Sequence, residues 1–164
     1  MGKKARELAG PNVDKLIDLL NKAFCDEWAA FYYYGLAAKL AEGLNSPPLA
    51  GTLEKIGKEE LEHANELADR IIELGGQPVR EFADLPKIAN YPKVNLPVDF
   101  GDLRGILQAV IEAERGAIDV YNSILQDLQN ICKDPVTFHV IRHIMGEEIA
   151  HEDEFETILG SCPE

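Results

Sequence analysis

The sequence predicts an all-α protein, a four-helix bundle made of two antiparallel helical hairpins joined by a long crossover. Three observations carry that prediction. Four long amphipathic segments are separated by clusters of helix breakers, the middle connection is far longer than the other two, and both halves carry the same polar residues at nearly the same intervals.

Each segment is bounded by residues whose chemistry starts or stops helices. Gly10-Pro11-Asn12 precedes the first, expected over about residues 12–42, with Asn12 as N-cap and Gly43 beyond its end. Ser46-Pro47-Pro48 opens the second, about 47–75, which stops at Gly75-Gly76. Gly101-Asp102 opens the third, about 102–132, and Asp134-Pro135 the fourth, about 135–159. Proline after a capping Ser or Asp suits a helix start, because its missing N–H is one the first turn leaves unpaired anyway. The short first and last connections hold their neighbours antiparallel. The proline-rich crossover, about 76–101, is long enough to travel the length of a bundle. A flexible linker between two domains is the competing arrangement. It is disfavoured because a lone hairpin would leave its apolar stripe in water, so one domain over 1–164 is expected.

Composition narrows the function. With 46% hydrophobic residues in a chain of 164, a sizeable core is expected. The formal charge of −13 lacks the basic footprint that nucleic acid or an anionic membrane would need, so DNA binding is not expected. No apolar run approaches the roughly 20 residues of a membrane helix. The opening MGKKARELAG lacks the apolar stretch of a signal peptide. Cys25, Cys132 and Cys162 are odd in number with no CxxC. A cytoplasmic location follows.

Glutamates on a solvated helix face mean little; glutamates inside an apolar stripe mean more. Residues seven apart lie within about 20° of each other around a helix, so heptad rows expose intruders. The rows read Val13, Leu20, Glu27, Tyr34; Leu53, Glu60, Leu67, Leu74; Leu107, Glu114, Tyr121, Leu128; and Ile141, Glu148, Phe155, with His63 in the row of Ile56 and His151 beside Glu148. From Glu27 the offsets to Tyr34, Glu60 and His63 are 7, 33 and 36; from Glu114 those to Tyr121, Glu148 and His151 are 7, 34 and 37. Two hairpins with matching polar residues at matching heights imply a pseudo-twofold bundle.

Four unpartnered buried carboxylates would cost several kcal/mol each. Two divalent cations would neutralise them, and two neutral imidazoles would add nitrogen ligands without altering that balance. The i, i+3 spacing of Glu60 with His63, and of Glu148 with His151, brings each pair onto one ion. Carboxylates mixed with imidazole suit iron or manganese better than zinc or calcium. Pairing with basic residues is the alternative, but Arg70 and Arg115 are the nearest candidates and two arginines cannot balance four acids.

With these residues in place, the chain resembles the bacterioferritin and Dps-like branch of the ferritin-like superfamily. The run EELEHANELADRIIELGGQP is similar to the bacterioferritin second helix, AERGAIDVY to the third, and DEWAAFYYYG more loosely to the first. The resemblance implies a ferritin-like di-iron bundle with two iron ions held by Glu27, Glu60, His63, Glu114, Glu148 and His151. Glu60 and Glu148 would bridge, the four glutamates would form the catalytic cradle, and Tyr34 and Tyr121 would support the ligands or donate electrons. It further implies a ferroxidase that oxidises Fe(II) with peroxide or dioxygen, storing iron and removing oxidant in a hollow homo-oligomer. Leu61 stands where bacterioferritin has its haem-ligating methionine, so haem is not expected. Only 13 residues follow His151, too few for the fifth helix of 24-subunit ferritins, which favours a 12-subunit shell. The rival reading is a discrete di-iron or di-manganese redox enzyme, catalase-like or oxygenase-like; a third is a structural bundle without metal.

Several residues stay outside the expected centre. His143 lies about 140° around the helix from Glu148, at 100° per residue, and a surface metal or pore role is the alternative for it and His139. Glu147 could partner His151 at i, i+4, but the repeat favours Glu148. Cys25 points about 160° away from the face of Glu27, so no catalytic disulfide with Cys132 is expected. Trp28, Tyr32 and Tyr33 read as packing.

Overall fold

The computed structural model describes residues 3–91, 93–130 and 133–161. Four long helices form the bundle: α2 (Val13–Leu40), α3 (Ser46–Glu73), α5 (Leu103–Asn130) and α6 (Pro135–Ser161). Three shorter elements go beyond the sequence reading: α1 (Lys3–Ala9), a 3₁₀ turn at Phe82–Asp84 and α4 (Leu85–Ile88). They were too short for periodicity to reveal. No strand occurs among the described residues, and no helix of theirs is long and apolar enough to cross a membrane.

The helix starts follow the expected chemistry with one correction. Asp134 accepts a hydrogen bond from the Val136 N–H at 3.1 Å and opens α6. Asp102 does the same for Gly105 at 2.8 Å and opens α5. Ser46 is instead the first residue of α3, with Asn45 at the cap position, and its hydroxyl donates to the Gly43 carbonyl. The tight exit from α3 needs two glycines for different reasons. Gly75 takes φ +82°, and a Cβ on Gly76 would come within 2.7 Å of Ile17.

Helix α2 packs along α3 and α5 along α6, with α2 against α5 and α3 against α6 closing the bundle. The crossover runs back along α2 and is tied to it by hydrogen bonds. Asn21 accepts from the Val79 N–H, and buried Asp26 accepts from the backbone N–H of Asn90 and Tyr91 and from the Asn90 side chain. Arg6 of α1 donates to the Leu74 carbonyl at the end of α3.

The core divides into two apolar clusters. One spans Val13 to Cys25, Ala64 to Leu74, Ala117 to Leu128, and Ile141 with Ile144. The other spans Ala30 to Ala38, Leu49 to Ile56, Ile106 to Ile111, and Phe155. Every long helix is therefore apolar above and below one interval, and the interrupting residues are Glu27, Glu60 with His63, Glu114, and Glu148 with His151. The polar layer sits midway along the bundle, sealed at both ends by packed side chains.

Candidate metal centre

Antiparallel packing brings the four interruptions to one height. Glu27 is 1% exposed, Glu60 1%, His63 0%, Glu114 1%, Glu148 2% and His151 5%. Their ligand atoms gather into two overlapping groups. Glu27, Glu60, His63 and Glu148 form one, and Glu60, Glu114, Glu148 and His151 the other, with donor atoms inside each group within 4.8 Å of one another. Glu60 and Glu148 belong to both. The structure thus brings together all six residues singled out in the sequence.

Both histidines turn Nδ1 inward. The Nδ1 of His63 lies 2.9 Å from a Glu148 oxygen, 3.2 Å from Glu60 and 3.6 Å from Glu27. That of His151 lies 3.2 Å from Glu60 and 3.8 Å from Glu114. The two rings are nearly parallel, with centroids 5.9 Å apart. The outward nitrogens face carboxylates from the opposite hairpin: His63 Nε2 is 2.8 Å from Glu147, and His151 Nε2 is 3.1 Å from Glu59. A carboxylate on the far nitrogen of a metal-binding imidazole fixes its orientation and raises its basicity. The two buried tyrosines make the same exchange. Tyr34 donates to Glu114 at 2.8 Å, and Tyr121 donates to Glu27.

What remains unbonded tests whether a metal fits. One oxygen each of Glu27, Glu60, Glu114 and Glu148, together with His151 Nδ1, is buried with no hydrogen-bond partner. Buried polar atoms are almost always satisfied, and leaving one unmade costs about 1–3 kcal/mol. Five such atoms, one from each of five of the six residues, converge and match a cation-binding set. The basic alternative fails on geometry: Arg70 binds Asp134, Glu73 and Thr137, and Arg115 binds Glu152 and Glu156.

Without cations, protons have to hold this layer together. Burial pushes Glu60 up to about 8, reinforced by the charge of Glu114, while the neighbouring imidazoles of His151 and His63 pull the other way. Glu148 rises through burial and the charges of Glu60 and Glu27. For Glu27, burial is outweighed by the nearby His63 and Glu60, with Tyr121 adding to them, so its carboxyl falls below the ordinary value. Burial opposes charge on the imidazoles too, yet Glu114 and Glu60 raise His151 to about 10, and Glu148, Glu27 and Glu60 raise His63. Cation binding would displace these protons, since ligands bind metals in their deprotonated forms.

Sequence reasoning missed the outer carboxylates. Glu147, whose i, i+4 spacing offers it to His151, instead meets His63; Glu59 takes the matching place on His151. The signal was present in the paired Glu59-Glu60 and Glu147-Glu148, repeated in both halves. The latch at Asp26, Asn90 and Tyr91 had no such signal, because the crossover is aperiodic. Cys25 is buried, and burial followed by the charge of Asp26 pushes its thiol up to about 12, which leaves it unreactive. Cys132 and Cys162 lie outside the described residues. Trp28 packs edge-on against Phe24 and Phe31, and Tyr32 against Tyr33, in line with a packing role.

Comparison with known proteins agrees with the architecture. The chain is 37% identical over 160 residues to a DNA protection during starvation protein of Pyrococcus furiosus, covering 96% of this chain and 83% of that one. It is 30% identical over 147 residues to a bacterioferritin of Desulfovibrio desulfuricans, covering 88% and 74%. Among solved structures, a dodecameric thioferritin, the bacterioferritin-related protein of Bacteroides fragilis, superposes with a TM-score of 0.89 at 33% identity, over 97% of this chain and 94% of that one. The model of the ferritin-like domain matches residues 17–164, and the chain belongs to that family.

Proposed function

We propose that the protein is a ferroxidase that binds two Fe(II) ions per subunit, oxidises them with peroxide or dioxygen, and stores the ferric product inside a hollow homo-oligomer. The observation that carries this reading is the pair of overlapping four-residue groups whose inward-facing atoms lack other partners. Glu27 with His63 would serve one ion and Glu114 with His151 the other, with Glu60 and Glu148 shared between them. Carboxylate oxygens with one imidazole nitrogen per ion favour iron, with manganese the nearest competitor.

Fe(II) is here a substrate, and each ion gives up one electron. With peroxide, two electrons and two protons cleave the O–O bond and yield two waters; with dioxygen, they yield one peroxide. The protein's part is to hold the ions side by side in a dry layer and to manage charge. Four carboxylates balance two Fe(II), and Glu59 and Glu147 keep the imidazoles aimed inward. Tyr34 and Tyr121 restrain Glu114 and Glu27 as charge at the centre rises. The dodecameric relative supports a 12-subunit shell. The DNA-protecting role that names the archaeal relative is not carried over, given a net charge of −13.

The test is anaerobic addition of two Fe(II) per subunit, followed by separate challenge with peroxide and dioxygen, with the assembly sized by chromatography. Oxidation of both ions by at least one oxidant, in a complex of many subunits, is expected. If neither oxidant turns over bound Fe(II), the proposal is wrong; a monomer or dimer that does turn over would replace storage with a discrete redox enzyme.

A further inference from the structure

The pseudo-twofold symmetry that matches the two halves of the centre breaks down at its rim. On the His63 side, the outer carboxylate Glu147 is joined by His143, one turn earlier on α6, and by Glu66, one turn beyond His63 on α3. His143 Nε2 lies 3.7 Å from Glu147 and 3.8 Å from Glu66, and all three side chains are nearly half exposed. On the His151 side, the matching positions hold Glu59, Lys55 and Glu154. There Lys55 Nζ closes on Glu154 at 3.1 Å. One rim presents two carboxylates around an imidazole, while the other carries its own fixed cation.

We propose that Glu66, His143 and Glu147 form a separate divalent-cation site that loads Fe(II) into the centre from the His63 side alone. The spacing suits it. A cation with bonds of about 2.1 Å separates neighbouring ligand atoms by roughly 3.0–3.6 Å, close to the 3.8 and 3.7 Å that part His143 from Glu66 and Glu147. Unlike the central groups the three are not preassembled, and the two exposed carboxylates have to swing toward the imidazole as the ion arrives. Two carboxylates and a neutral imidazole give a donor set of the same chemistry as either half of the centre. Glu147 is the connection, because it touches both His143 and His63, whose Nδ1 faces Glu148 inside. The His151 side cannot work this way, since the Lys55 ammonium would repel an arriving cation. This inference rests on the di-metal reading of the centre and adds the direction from which it fills.

The test uses the whole assembly and Co(II) alone as probe. Crystals soaked in Co(II) should show anomalous density at both central positions and a third peak between Glu66, His143 and Glu147, with none beside Lys55. His143→Lys, which installs the residue of the opposite rim, should lose only the third peak. The same variant should oxidise two Fe(II) per subunit at saturation but be slower by about tenfold at limiting Fe(II), the scale on which local charge concentrates a substrate. A filled centre without the third peak overturns the loading site and leaves the ferroxidase reading intact. So does a third peak, or a limiting rate, that His143→Lys leaves unchanged. An empty centre in the wild type overturns the parent reading and the loading role with it.

Discussion

The bundle buries charge in two places, and they are built in opposite ways. Near the start of α6, Arg70 is 4% exposed, Asp134 3% and Thr137 0%. The guanidinium donates to Thr137 at 2.8 Å, to Asp134 at 2.6 Å and to Glu73 at 2.6 Å. Thr137 in turn donates to Asp134, which also accepts from the Val136 N–H. Burial would push the Asp134 carboxyl up, but hydrogen bonds from Thr137 and Arg70 outweigh it and hold the group below its ordinary value. At the centre, burial wins for Glu60 and Glu148, and five polar atoms stay unpaired. A cluster that serves the fold closes its own network. The central cluster leaves its network open, with the open valences pointing at one another.

That difference predicts opposite responses to removing one charge. Arg70→Met strands a buried carboxylate, and breaking a buried pair in this way costs about 3–5 kcal/mol. The largest loss of stability in either cluster should therefore come from this change, read as a drop in urea midpoint of the metal-free protein. A cost below about 1 kcal/mol, the level of an ordinary surface change, would erase the distinction between the clusters. Glu60→Gln should go the other way, because it removes one of four crowded acids. The metal-free variant is expected to be more stable than the metal-free wild type by about 1 kcal/mol, the lower end of gains seen when buried charge is neutralised. Metal should reverse that order. A divalent ion at 100 times its dissociation constant stabilises the protein it binds by about 2.7 kcal/mol, and Glu60→Gln should lose most of this gain in a melting experiment. Equal stabilisation of both proteins would take Glu60 out of the site.

How much of this was legible in the sequence depended on periodicity. The long helices and the six inward residues were readable because an acid inside a heptad row contradicts its neighbours, and the contradiction occurs once per helix. The Arg70 network was not readable. Arg70 stands next to Ile71 with no repeat partner, and its mate Asp134 lies in a different hairpin, known only as a helix start. Residues 3–9 and 82–88 were missed as helices because one or two turns carry no measurable period. The rim was legible only in part. His143 was recognised as lying off the face of Glu148, but its meeting with Glu66 depends on the packing of α6 against α3, which no single-helix argument supplies.

The smallest of these effects is the dependence of stability on pH, and its sign separates the two clusters again. Asp134 has a lowered folded value, so its contribution is present above the unfolded carboxylate pKa of about 3.9 and is lost as pH falls through the folded one. Glu60 is raised from 4.5 to about 8, so its contribution is full below 4.5 and is lost as pH rises through about 8. His151, raised from 6.5 to about 10, follows the same sense at higher pH, and Glu148 shares the direction of Glu60. Glu27 is lowered and opposes them, losing its contribution only in acid. The metal-free protein should therefore melt at a lower temperature at pH 9 than at pH 5, and Glu60→Gln should flatten that slope by a few degrees. Asp26, which burial lifts to about 7, titrates in the same window but is common to both proteins and cancels between them. A metal-free wild type that is more stable at pH 9 than at pH 5 would show that the centre, like the Arg70 cluster, already has its carboxylates compensated as anions. The contrast between a closed network and an open one would then fail.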